Sequence, residues 1–224
     1  MLGRKKETNG KSPARLEDGP FAGSAHAVAQ RLLDVGLDGG AGFSSAQQIA
    51  DDALRAHPMP EEAIDAIVTA HRKLAAVGGF VTGLGGFVTM PAALPANVLE
   101  FYLVATRMVG AIAAVRGYQL SNPSLRTAVL LTLVDADAGA VMQKAGVVST
   151  GRLASLASQR LPAPALMVVN KAVGFRLVGQ VSGRMLPNLG RGVPLAGGVV
   201  GAGLDAYLLN KIGKDARREF PPRT

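Results

Sequence analysis

The stretch from Leu74 to Leu99, LAAVGGFVTGLGGFVTMPAALPANVL, holds 26 residues and no charge. Its length meets the criterion for a transmembrane helix. Two features oppose a single unbroken span. Gly78, Gly79, Gly83, Gly85 and Gly86 each cost about 1 kcal/mol of helix propensity relative to Ala. Pro91 and Pro95 then interrupt any helix that reaches them. The expectation is two pieces, one ending near Thr89 and a new helix starting near Pro95. That helix, Ala96 to Val115, is apolar on nearly every face, so it belongs in a protein core or in lipid. Its polar exceptions Asn97, Glu100 and Arg107 fall in one narrow stripe, because their spacings are close to whole turns. Glu100 and Arg107 should therefore be paired or face something polar. Structural ion pairing with other helices is the expected role, and a ligand-facing role is the alternative.

The rest of the chain also reads as helical. Ser24 is a candidate N-cap for a helix ending at Gly36, and Ser45 for AQQIADDALRA, which stops before Pro58. Pro60 opens a third helix with Glu61 and Glu62 in its first turn, where the helix dipole favours acids. Further helices are expected from Pro123 to about Val134, from Asp137 to Ala145 and over Gly151–Gln159. Another should run from Pro162 through Met185, and a last one from Pro194 to the Pro221-Pro222 stop. Aromatics are only 4% of the chain and Trp is absent, so the apolar bulk is Ala, Val, Leu and Gly. That composition suits closely packed helices and not a β-sandwich. The expected fold is an all-α, compact multi-helix domain over residues 24–220. A polar, basic, disordered tail (1–23) precedes it and a short tail (221–224) follows.

Small residues recur at helix-packing spacing. Gly79 and Gly83 form one GxxxG pair and Gly197 and Gly201 another, with Gly86 and Gly198 beside them. Such faces let helix backbones approach closely, in membranes or in tight bundles. Each pair precedes a similar spelling: Leu99-Glu100-Phe101-Tyr102-Leu103 and Leu204-Asp205-Ala206-Tyr207-Leu208.

Charge is unevenly spread. From Ser24 to Glu100 there are eight acids against four bases. From Ala138 to Leu204 there is no acid, and seven bases: Lys144, Arg152, Arg160, Lys171, Arg176, Arg184 and Arg191. A basic surface can meet nucleic acid, anionic lipid or an acidic protein; the bland alternative is that the two halves face each other or water. Base stacking would call for aromatics, and residues 138–204 contain only Phe175. Dispersed cations beside apolar helices suit an anionic membrane surface better.

Catalytic motifs are absent. The chain has no Cys, which excludes disulfides, thiolate metal sites and Cys nucleophiles. It has no P-loop and no GxSxG elbow. Gly201–Ala206 fits GxGxxA, but only 18 residues follow, too few to complete a βαβ unit. His26, His57 and His71 lie in no HExxH pattern, so surface or core roles are expected and no metal or cofactor. Basic residues without an apolar core follow the first Met, unlike a secretory signal, so the cytoplasm is the default location, extending to the inner face of the cell membrane.

The run GGFVTGLGGFVTMPAALPANVLEFYLVATRMVGAIAAVRGY resembles the signature region of the EcsC family. NKAVGFRLVGQVSGRMLPNLGRGVPLAGGVVGAGLDAYLLNKIGKDARREF is similar to the family's C-terminal half, and Arg126–Gly146 also fits. Matching positions include Gly79, Phe80, Gly83, Pro91, Arg107, Gly174, Arg176, Asp205 and Gly213. The resemblance implies a helical bacterial protein whose family is named for a gene beside ABC-transporter genes, and it carries no catalytic residue. The expected function is a non-enzymatic, membrane-associated or lipid-binding helical module, accessory to a transport system. One alternative is a hydrolase of amphiphiles using Glu100, Arg107 and Asp205; another is a soluble scaffold that binds a protein partner through the acidic N-terminal helices.

Overall fold

Ser45 and Asn122 illustrate how this chain starts its helices. The Ser45 hydroxyl accepts the Gln48 backbone N–H at 3.1 Å, and the Gln48 side-chain oxygen accepts the Ser45 N–H at 2.8 Å, a reciprocal cap. Asn122 Oδ1 accepts the N–H groups of Ser124 and Leu125, with Pro123 at the first helical position. In the computed structural model the described residues are 21–40, 42–77, 96–134, 137–147, 151–159, 161–185 and 196–223.

Among these residues the elements are α1 (Phe21–Gly36), α2 (Ala46–Ala56), α3 (Pro60–Val77), α4 (Ala96–Val115), α5 (Pro123–Thr132), α6 (Ala138–Lys144), a 3-10 helix (Leu153–Ala157), α7 (Ala163–Met185) and α8 (Ala196–Glu219). No strand occurs among them, so the all-α expectation holds. Two details differ from the sequence reading. The first helix begins at Phe21, ahead of Ser24. The helix expected over Gly151–Gln159 is a short 3-10 segment. It is tied to the start of α5 by Asn122 Nδ2 donating to the Ala157 carbonyl and by Ser124 Oγ donating to the Gln159 carbonyl, both at 2.9 Å. These side-chain bonds replace the longer backbone ladder an α-helix would need.

α4 is the axis. It packs against α1, α2, α3, α5 and α8. Its window Val98–Val115 has a mean hydropathy of 1.7, enough in length and composition to cross a bilayer, yet 83% of that window is buried inside the protein. The surrounding helices account for its apolarity, so α4 is the core helix of the bundle. Leu103, Met108 and Ile112 on α4 meet Leu32, Ile64, Leu125 and Leu130 from its neighbours in one continuous core.

Two glycines set how close the helices come. A Cβ on Gly110 of α4 would collide with Leu37 and sit 3.0 Å from the Ala46 Cβ. A Cβ on Gly174 of α7 would collide with the backbone carbonyl of Ala25 in α1. At Gly174 the absent side chain lets two backbones approach, and at Gly110 it makes room for the side chains of Leu37 and Ala46. These close-packed glycines are not the ones the GxxxG spelling picks out. Gly79, Gly83 and Gly86 lie outside the described residues. Gly197, Gly198 and Gly201 lie within helix α8, and their surroundings lie outside the described residues.

Three acids of the N-terminal stretch pair with bases that lie outside the acid-free stretch Ala138–Leu204. Arg126 holds both carboxylate oxygens of Asp38 at 2.6 Å, and these hydrogen bonds raise the Arg126 pKa. Arg217 of α8 reaches Asp65 of α3 at 2.5 Å, and Arg116 at the end of α4 reaches Glu61 at 2.5 Å. The Arg217–Asp65 pair, with Gly213 against Val68, sets α8 antiparallel along α3. The last residues are not loose either: the Tyr118 hydroxyl donates to the Pro221 carbonyl at 3.0 Å, and the Arg223 N–H to the Arg116 carbonyl at 3.1 Å.

Candidate functional site

Two groups of residues bear on function: polar side chains buried around α4, and a mixed apolar and basic surface on α7 and α8.

In the first group, Glu100 and Arg107 are both buried, as the all-apolar helix around them requires. Arg107 donates through Nη2 to the Ser44 carbonyl at 3.1 Å, and its guanidinium lies 5.1 Å from the centre of the Phe43 ring. It thereby anchors the loop between α1 and α2 onto the core helix. Burial lowers its pKa, but an arginine stays charged at any physiological pH. His71, for which the sequence left surface and core roles open, belongs to this group. It is buried on α3, and its Nδ1 lies 2.8 Å from the Ile67 carbonyl. A carbonyl only accepts, so Nδ1 carries the proton and Nε2 keeps a lone pair. Burial, with Arg107 nearby adding to it and against the Ile67 bond, lowers its pKa to about 4. His71 is thus a neutral imidazole at pH 7. A His one turn after two apolar positions, Ile67 and Val68, was the available signal.

Asp205, the third buried-polar candidate, sits elsewhere. It lies half-buried on α8, where desolvation raises its pKa. It makes no ion pair with Glu100 or Arg107 among the described residues. No cluster of three or more metal-ligating side chains occurs among the described residues.

The second group lies on the surface. Met167 and Val168 of α7 are exposed, and Lys171 follows one turn later on the same side. Leu204 and Tyr207 of α8 are exposed in the same way and lead to Lys211 and Lys214. Of the nominated cations, Lys144 at the end of α6 and Arg152 before the 3-10 helix are exposed, and neither they nor Lys171 makes an ion pair among the described residues. Arg176 is engaged by Asp137 at 2.7 Å, which ties α6 to α7. Arg160 and Arg191 lie outside the described residues, as does the side chain of Arg184. The exposed apolar residues were legible as letters but not as exposed, since nothing in α7 or α8 marks which apolar positions lack a partner.

The profile of the EcsC protein family matches residues 44–224, from the loop before α2 to the end of the chain, so α1 precedes the matched region. No curated protein and no solved structure matches the chain.

Proposed function

Because the chain belongs to the EcsC protein family, a membership that names no activity, we propose from its surface that it is a non-enzymatic module that docks peripherally on anionic membranes and serves an accessory role beside a transport system. One observation carries this reading. The acid-free stretch from Ala138 to Leu204 presents exposed Met167 and Val168 one turn from Lys171, with Lys144 and Arg152 also exposed. Apolar side chains that enter the acyl boundary beside cations that meet headgroups are the pattern of interfacial association. The apolar core helix α4 plays no part in this docking, since protein covers it.

Flotation of the full chain with vesicles tests the reading. Wild-type protein rises with phosphatidylserine-containing vesicles at low salt, stays down with neutral vesicles, and is released as salt screens the cations. The double variant Met167→Asp/Lys171→Glu, altered only on the surface, floats at least about tenfold less, since each basic residue near an anionic bilayer contributes about 1 kcal/mol. A wild-type chain that stays in the soluble fraction with anionic vesicles at low salt rules the reading out.

A further inference from the structure

A cavity of about 350 Å³ opens between the start of α3, the end of α4 and the C-terminal segment, lined in part by Pro60, Glu61, Arg116, Gly117 and Arg223. The residues around it are strapped together. Phe220, fully buried, packs edge-on to Tyr118 with ring centres 5.7 Å apart. The Tyr118 hydroxyl and the Arg116 carbonyl bond Pro221 and Arg223. Glu219 then accepts the Leu153 N–H at 2.8 Å, which brings the 3-10 helix and Arg152 to the same end of the bundle.

Two guanidinium groups, Arg116 and Arg223, line the cavity, and Arg152 is close enough to act on Tyr118 at the same end of the bundle. Arg223 lies over the Tyr118 ring at 5.4 Å, and the charges of Arg223, Arg152 and Arg116 all act on the Tyr118 hydroxyl, against the upward pull of its burial. Glu61 neutralises Arg116, whose side chain is 8% exposed and whose Nε has no hydrogen-bond partner among the described residues. Arg152 and Arg223 make no ion pair among the described residues. Arg223, on the cavity wall, therefore remains an unmatched positive charge, and Arg152 adds a second one at the same end of the bundle. Guanidinium forks recognise phosphate oxygens bidentately, and a phosphate monoester carries between one and two negative charges at neutral pH. Met59, exposed and directly before Pro60, adds an apolar side chain next to the cavity lining.

We propose that this cavity between α3, α4 and the C-terminal segment binds a phosphate monoester, with Arg223 supplying the charge and Arg116 the fixed floor. The site is distinct from the α7 docking surface and does not depend on it. The monoester can come from a lipid headgroup or from a soluble metabolite, and two measurements separate these sources. Calorimetric titration of the full chain with glycerol 3-phosphate gives saturable binding that Arg223→Ala weakens by about tenfold, the loss expected of one charge-assisted guanidinium–phosphate contact. Arg223 is exposed and its backbone bond survives the change, so the fold is retained; Met167→Asp/Lys171→Glu leaves this binding unchanged. In parallel, vesicles containing phosphatidic acid are compared with phosphatidylserine vesicles of equal surface charge. A preference for phosphatidic acid that Arg223→Ala removes assigns the site to a lipid headgroup. Glycerol 3-phosphate binding without that preference assigns it to a soluble monoester. Absence of both, or an Arg223→Ala variant that binds as tightly as wild type, overturns the proposal, whatever the flotation result with phosphatidylserine.

Discussion

The chain spells nearly the same five residues twice, with opposite results. In α4, Leu99 and Tyr102 are 5% and 7% exposed; in α8, their counterparts Leu204 and Tyr207 are 53% and 65% exposed. Glu100 is buried where Asp205 is half-buried. The difference lies in the neighbours. The α4 copy is enclosed by the helices that pack around the axis, whereas the α8 copy precedes the part of that helix where Arg217 and Gly213 engage α3. Local sequence sets the helix and its chemistry; the partners decide whether an apolar side chain is core or surface. An all-apolar helix is thus poor evidence of lipid contact in this protein.

Truncating the two tyrosines probes this contrast most sharply. Tyr102→Ala costs about 3 kcal/mol by denaturant unfolding, in the range for large-to-small changes of buried aromatics. Tyr207→Ala stays within about 0.5 kcal/mol. Equal costs would break the distinction.

A second test uses the titration of the buried environment next to α4. The folded-state pKa of His71 is about 4, against an ordinary 6.5. A depressed histidine means the unfolded chain binds the extra proton first, so stability is fully present above pH 6.5 and falls as pH drops from there toward 4. Across that window the loss approaches about 3 kcal/mol, at 1.36 kcal/mol per pKa unit. Unfolding curves between pH 7 and 4 show this slope, and His71→Gln flattens it. A slope unchanged by the substitution would place His71 in water.

The smallest effect belongs to the α8 copy. The Asp205 pKa is raised by burial, so the folded state disfavours its charge, and stability rises as pH falls through the raised value toward the ordinary one. Asp205→Asn removes that charge and raises Tm slightly at neutral pH. A clear drop in Tm would mean that the carboxylate is held by a partner, as a ligand-binding or structural group.

Much of this architecture was legible in the sequence. Ser45 with Gln48, Pro60 with its two glutamates, and Asn122-Pro123 mark helix starts by local chemistry that does not depend on the fold. The burial of Glu100 and Arg107 followed from the apolar helix that carries them. What stayed hidden was relational. Gly110 and Gly174 are single glycines, each facing a collision with another segment, so no spacing within one helix reveals them. The pairs Arg126–Asp38 and Arg217–Asp65 join residues 88 and 152 positions apart. Arg116 and Arg223 likewise come from distant segments, and the strap from Tyr118 to Pro221 brings them to one cavity.

The seating of α1 on α7 has a consequence for how the protein is made. Val28, Leu32 and Leu33 on the first helix are almost fully buried, and the close approach of Gly174 to Ala25 shows that α7 is its intimate partner. A ribosome adding 5–20 residues per second takes roughly ten seconds to travel from one to the other. For that time the nascent first helix carries an apolar face whose main partner has not been synthesised. Such distant pairing slows folding relative to bundles built on local contacts, and leaves that apolar face without its main partner until the last third of the chain appears.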